Sequence, residues 1–256
     1  MMRRMTDLTG HVALITGGNG GIGLGFGRGL ARAGADVAIW GQNPDKNAKA
    51  EAELLSLGAK VHVERVDVSD EDAVEAAFAA TLEAMGRVDS CFANAGTSGW
   101  TPGIQDLTTD EWRRVLGVNL DGVFFTCRAA ARHMVERGGG GSIVTVASTS
   151  TIHGAPNQPH YAAAKTALLG LTRAMAVGLA RHGVRVNAIS PGWTETDLTA
   201  AGMQNEKFMN ATTSRTPVRR WGTPDDFSDV AVYLADPKLT FHTGDTLVVD
   251  GGYTVF

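Results

Sequence analysis

Cysteine is scarce in this chain: Cys91 and Cys127 are the only two in 256 residues. Two thiols in apolar surroundings make neither a disulfide framework nor a metal cluster, so no metal site is expected. A reducing compartment, the cytoplasm, is the simple inference. Charge of one sign is also lacking. Lysine and arginine number 23 against 27 carboxylates, a formal net charge of -4, and the cations are scattered, which argues against nucleic acid as a partner. No apolar run is long enough to cross a membrane. The start, Met1-Met2-Arg3-Arg4-Met5, leads into polar residues and not into the apolar region of a secretion signal. Solenoid repeats, low-complexity linkers and a second-domain boundary are missing too. The length then suits one α/β domain spanning residues 1–256.

What is present is regular alternation. Short β-rich runs are expected at 11–16, 37–40, 61–66, 88–93 and 143–147, and helices at 45–57, 71–85, 109–136 and 161–180. Strands separated by helices, each strand continuously apolar, argue a doubly wound, mostly parallel sheet covered on both faces. The four glycines at 138–141 read as the end of the long helix, not as a linker.

Two stretches carry chemistry. The first strand runs directly into Gly17-Gly18-Asn19-Gly20-Gly21-Ile22-Gly23 and then a helix-like segment. Strand, glycine turn and helix in that order let backbone amides approach a pyrophosphate, as a dinucleotide requires. The second stretch covers 148–165. Ser148 closes an apolar strand, and Tyr161 and Lys165 stand four residues apart on one predicted helix face. A free tyrosine, with a pKa of about 10, is a poor acid-base catalyst near neutrality. A neighbouring ammonium stabilises the phenolate, and a serine hydroxyl can hold a carbonyl or alcohol oxygen beside the phenol. Tyr-x-x-x-Lys alone also fits an ordinary amphipathic helix; the glycine turn is what raises it to a site.

Together these motifs resemble the short-chain dehydrogenases/reductases over nearly the whole chain. Thr16-Gly17-x-x-x-Gly21-x-Gly23 is similar to that family's cofactor loop, Asp67-Val68 to its adenine-contacting pair, and Asn94-Ala95-Gly96 to its turn after strand four. Ala93 stands where a further asparagine is usual. Asn119, Ser148, Tyr161 and Lys165 match the catalytic tetrad, Pro191-Gly192-x-x-x-Thr196 the nicotinamide-side turn, and Asp250-Gly251-Gly252 the C-terminal signature. The resemblance implies a Rossmann fold with a seven-stranded sheet, an NAD or NADP cofactor, and hydride exchange with a secondary alcohol or ketone. Tyr161 would act as general acid/base, Ser148 would polarise the oxygen, and Lys165 would hold the nicotinamide ribose and, together with the cofactor's positive ring, lower the Tyr161 pKa. Asn119 would position a water linking the lysine to solvent. The cofactor contacts it implies are Gly17, Asn19, Gly21, Ile22, Gly23, Gln42, Asn43, Asp67, Val68, Asn94, Ala95, Gly96, Pro191, Gly192, Thr194 and Thr196, with Tyr161 and Lys165.

Selectivity is less determined. A ribose-reading carboxylate is expected at the end of the second strand, but that place holds Gly41, followed by Gln42. A cation for a 2'-phosphate is missing as well, with only Lys46 near, so the balance tips slightly to NAD. Residues 194–217 look like a substrate lid. Ser148, Ser150, His153, Tyr161 and Trp193 are the candidate substrate contacts, with Trp100 flanking; Arg215, Arg219 and Arg220 read as surface or fold charges. A 3-oxoacyl-thioester reductase and a sugar, polyol or other secondary-alcohol dehydrogenase remain open. The alternative outside catalysis is a cofactor-sensing regulator on the same fold. A sugar-nucleotide epimerase would need a larger C-terminal substrate domain. The helix at 161–180, apolar nearly all round, would be buried on two sides, and the resemblance implies a homotetramer.

Overall fold

The computed structural model describes residues 6–256; the reading of the first five residues lies outside them. The first half runs β1 (Val12–Thr16), α1 (Gly21–Arg32), β2 (Asp36–Trp40), α2 (Pro44–Ser56), β3 (Val61–Glu64), α3 (Glu71–Met85) and β4 (Ser90–Ala93). Then come α4 (Thr109–Leu116), α5 (Gly122–Arg137), β5 (Gly141–Val146), α6 (Ser150–His153), α7 (Pro159–Leu179) and β6 (Val184–Pro191). The chain closes with α8 (Ala200–Met203), α9 (Glu206–Arg215), α10 (Ser228–Ala235) and β7 (Thr246–Val249).

The seven strands form one sheet in the order β3-β2-β1-β4-β5-β6-β7. Every pairing is parallel, where a mostly parallel sheet was expected. Alternate residues of each strand feed opposite faces. Leu14, Ala38 and Trp40 join Phe78, Cys127 and Leu168 on one side. Ala13, Ile15, Val37 and Ile39 join Phe26, Leu30, Leu54 and Leu234 on the other. Burial on both faces is why the strands read as unbroken apolar runs. The order reverses between β1 and β4, opening a crevice at the carboxyl ends of these strands, where α/β sheets place ligands.

The predicted long helix is interrupted. Residues Gly117–Asp121 form a π turn between α4 and α5, with the Gly122 N–H reaching Gly117 O. There the Asn119 side-chain amide donates to Val115 O at 2.9 Å, the carbonyl that its own backbone N–H would take in an α-helix, and to Thr97 O at 2.8 Å. β3 also ends earlier than expected, at Glu64, because its partner β2 ends at Trp40. No helix among the described residues is long and apolar enough to cross a membrane.

Candidate active site

Glycine loop and switch point meet in one clamp. Asn94, just after β4, donates its side-chain amide to Thr16 O at 2.9 Å, and its N–H donates to Thr16 Oγ1 at 3.0 Å. A Cβ on Gly17 would come within 3.1 Å of Ala95 Cα, and one on Gly23 within 2.3 Å of Gly17 O. The turn closes this tightly only without side chains. α1 begins at Gly21 after Gly20, with no side-chain cap, so its first amide donors are free for an anion. A cradle that any Cβ would fill, beside uncapped helix donors, fits the diphosphate of a dinucleotide. Thr196 packs on this loop from the far wall, 3.1 Å from where a Gly21 Cβ would stand.

The candidate proton-handling groups gather below. Ser148 follows β5, and the N–H of Ser150, opening α6, donates to Ser148 Oγ at 3.1 Å. With that lone pair engaged, the Ser148 O–H is left to donate elsewhere. Lys165 is buried on α7 and donates to Val146 O at 2.7 Å. Its ammonium lies 5.7 Å from the centroid of the Tyr161 ring. Burial pulls the Lys165 pKa down to about 8. Burial also pushes Tyr161 up, against a smaller downward pull from the Ser148 hydrogen bond. Desolvation of the phenolate thus dominates among the protein's own groups, the Lys165 ammonium being turned to a carbonyl. Asn119 is fully buried, donates to Thr97 O at 2.8 Å and accepts from Thr97 N–H at 3.2 Å. Gly96 fills the space between it and the lysine, since a Cβ there would be 2.9 Å from Asn119 Oδ1 and 3.5 Å from Lys165 Nζ.

One cleft of about 1190 Å3 joins these two parts. The structure brings Gly17, Asn19, Gly21, Ile22, Asn94, Ala95, Gly96, Pro191, Gly192, Thr194 and Thr196 to it, together with the tetrad, Ser150, His153, Trp193 and Trp100. Gly23, Gln42, Asn43, Asp67 and Val68 lie outside its lining. Asn43 is engaged as the cap of α2, accepting from Lys46 N–H at 3.0 Å. The Asp67 carboxylate accepts from Ser69 N–H and Oγ–H at 2.9 and 2.6 Å, and Val68 is buried against Gly122. Asn19 donates its side-chain amide to Asn47 Oδ1 at 2.6 Å. This pair also explains Gly41, where a Cβ would sit 2.2 Å from Asn19 Nδ2.

Several lining residues were not among the predicted contacts. Lys46 reaches across the mouth of the cleft to Asp197 at 2.7 Å. Glu111, Arg114, Phe208 and Tyr253 line the substrate end. Tyr253 had a signal, an aromatic directly after Asp250-Gly251-Gly252; the others sit on ordinary amphipathic helices. Arg220 pairs with Asp226 at 2.7 Å, a fold charge as expected, and Arg215 lies over the Tyr253 ring at 4.5 Å.

Known proteins align over the same extent. Residues 17–254 match a family model described as enoyl-(acyl carrier protein) reductase. The chain is 36% identical over 249 residues to a gluconate 5-dehydrogenase of Gluconobacter oxydans, covering 97% of this chain and 96% of that one. It is 38% identical to an NADP-dependent (R)-specific alcohol dehydrogenase of Lentilactobacillus kefiri, covering 98% and 99%. A gluconate 5-dehydrogenase from Burkholderia cenocepacia, solved with NADP and tartrate, superposes with a TM-score of 0.92 at 36% identity, covering 98% and 97%. The fold, the uncapped glycine cradle and these matches lead to one conclusion: the chain belongs to the short-chain dehydrogenase/reductase family of NAD(P)-dependent oxidoreductases.

Proposed function

We propose that Tyr161 is the general acid/base of a hydride transfer between nicotinamide and a secondary alcohol or ketone. The observation that carries this is the convergence of Ser148, Tyr161 and Lys165 on the floor of the cleft that the glycine cradle opens into. A bound nicotinamide supplies or accepts the hydride. In reduction, the Ser148 O–H donates to the carbonyl oxygen while its Oγ is held by the Ser150 N–H. Tyr161 gives its proton to the same oxygen, and the Lys165 ammonium stabilises the phenolate left behind. Oxidation runs these steps in reverse. Asn119 acts as a positioning residue, holding the Thr97 turn against the lysine. General acid/base groups contribute about 10^2–10^4-fold, so Tyr161→Phe should lose about that much turnover with either coenzyme. A Phe variant within threefold of wild type would refute the role.

For the coenzyme we propose a preference for NAD with NADP also accepted. Gly41 leaves no carboxylate to repel a 2'-phosphate, while Lys46 is held by Asp197 and Arg65 donates to Gln42 O at 3.2 Å. A phosphate monoester carries nearly two negative charges and needs such a cation free. Asp197→Asn should therefore lower the NADH-to-NADPH ratio of kcat/KM by roughly three- to tenfold, on the scale of one charge-assisted contact. An unchanged ratio would remove Lys46 from coenzyme selection.

A homotetramer in the cytoplasm completes the proposal. α7 turns Ala163, Ala167, Gly170, Ala174 and Val177 to the outside of the single chain, and Val177 is 83% exposed there. An outward face of small apolar residues suits a close helix–helix contact. Cys91 and Cys127 are both buried free thiols, consistent with a reducing compartment.

A further inference from the structure

The lid carries an aromatic block that fixes one helix against the substrate end of the cleft. Trp193 stacks on Trp221 with centroids 5.3 Å apart at 24°, and Phe208 meets Trp193 edge-on at 4.9 Å and 90°. The Trp221 indole N–H donates to Thr212 Oγ1 at 2.8 Å. Phe208, Thr212 and Arg215 stand at i, i+4 and i+7 of α9, so they share one helix face. Phe208 lines the cleft and Trp221 holds Thr212, which sets Arg215 at the end of the same face. There it meets two residues of the cleft lining. Its guanidinium lies over the Tyr253 ring, 4.5 Å from the centroid, and 3.5 Å from His153 Nε2. The His153 and Tyr253 rings also meet edge-on, with centroids 5.7 Å apart at 83°.

The acids that might neutralise this cluster are committed elsewhere. Both carboxylates in the cleft lining are taken, Glu111 by Arg114 at 2.7 Å and Asp197 by Lys46 at 2.7 Å. Asp250, three residues before Tyr253, is closed on its own turn. It accepts from Gly252 N–H at 2.8 Å and from Thr254 N–H and Oγ–H at 2.8 and 2.7 Å. The other lid arginines are held: Arg220 pairs with Asp226 at 2.7 Å, and Arg219 donates to Ser214 O. No carboxylate among the described residues pairs with Arg215, and the His153 side chain has no hydrogen-bond partner there besides Arg215. A guanidinium fork laid on an aromatic face, beside an imidazole without an acid, has donors to spare for a planar anion.

We infer that Arg215 is a specificity-determining residue: with His153 it holds a carboxylate on the substrate, so the enzyme acts on keto acids and hydroxy acids. This rests on the hydride-transfer reading above and adds the substrate class to it. α6 joins the two ends of such a substrate. The Ser150 N–H at its start holds Ser148 Oγ, and His153 closes the same four-residue helix, about 6 Å long. The carboxylate is therefore separated from the reacting carbon by a spacer of several atoms, which excludes 2-keto acids. Two carboxylate oxygens match the guanidinium fork, and the Tyr253 face behind it limits the fork's freedom. Arg215 is exposed, so the gain is about three- to tenfold, between an open ion pair and a buried charge-assisted bond.

The test is a panel of pyruvate, 4-oxopentanoate, 5-oxohexanoate and 7-oxooctanoate, each against its methyl ester, with NADH and NADPH. Wild type is compared with Arg215→Gln, Arg215→Lys, Arg219→Gln and Tyr161→Phe. The expected result is a kcat/KM about three- to tenfold higher for at least one of the three longer acids than for its ester. That preference should be carried by KM and weakened by added salt. Arg215→Gln should abolish it while leaving the ester unchanged, and Arg215→Lys should keep part of it. Arg219→Gln removes the same charge four residues away and should leave the preference intact; an equal effect of both Gln variants would mean a general field and overturn the contact. Equal handling of acids and esters, a preference confined to pyruvate, or no turnover of any longer acid would overturn the inference and leave the proton-transfer reading intact. Reduction that survives in Tyr161→Phe would overturn that reading instead.

Discussion

Lys165 shows how burial at a single residue can be read in solution. Its ammonium is taken out of water against Val146 O, with a pKa pulled from 10.5 down to about 8. The unfolded chain holds this proton up to about pH 10.5, the folded chain only to about 8. Between those values the unfolded state binds more protons, so stability rises with pH in that window. Below pH 8 both states are charged and the folded state carries the full desolvation penalty. At about 1.4 kcal/mol per pH decade, the penalty is roughly 3 kcal/mol. Urea unfolding of wild type and Lys165→Met should show the variant's advantage shrinking by about that amount from pH 8 to pH 10.5. A difference independent of pH would mean that the ammonium is solvated.

Among the elements, α1 is the most constrained by its glycines. It packs against α10 and the residues leading into it, and a Cβ on Gly29 would lie 2.4 Å from Ser228 O, a backbone atom in the first turn of α10. Alanine would raise helix propensity by about 1 kcal/mol, but overpacking against backbone costs about 1–3 kcal/mol or more. Gly29→Ala should therefore lower the unfolding free energy by up to about 2 kcal/mol in a urea titration; a stabilised variant would show that α1 can shift away. The sequence made α1 legible through the order of strand, glycine turn and helix, which is local information. The π turn at Asn119 was not legible, because it depends on a side-chain amide replacing a backbone donor and on the distant Thr97 turn. The Lys46–Asp197 contact joins positions 151 apart in the chain, beyond any local pattern.

Across the whole molecule, the parallel sheet places every strand's carboxyl end on one edge, and this edge gathers the site. Gly17 follows β1, Asn94 follows β4, Ser148 follows β5, and Gly192 follows β6. Most of the tetrad and cofactor-loop positions proposed from motif order therefore line one cleft. Asp67 and Gln42 also follow strands, but β3 and β2 lie on the far side of the switch point, outside the cleft that joins the glycine cradle to Tyr161. The substrate wall needed the tertiary structure: Trp193, Phe208 and Trp221 come from separate segments and form one block only once the lid folds.

The most direct measurement is deuterium transfer from C4 of labelled NADH or NADPH to a ketone that the enzyme turns over, followed in single turnover with wild type and Tyr161→Phe. The expected result is deuterium on the carbinol carbon with wild type, and transfer slowed by about 10^2–10^4-fold in the variant, with coenzyme still bound as judged by fluorescence. Transfer at a comparable rate in both proteins would contradict the role assigned to Tyr161, and a carbinol hydrogen drawn from solvent would contradict the hydride transfer itself.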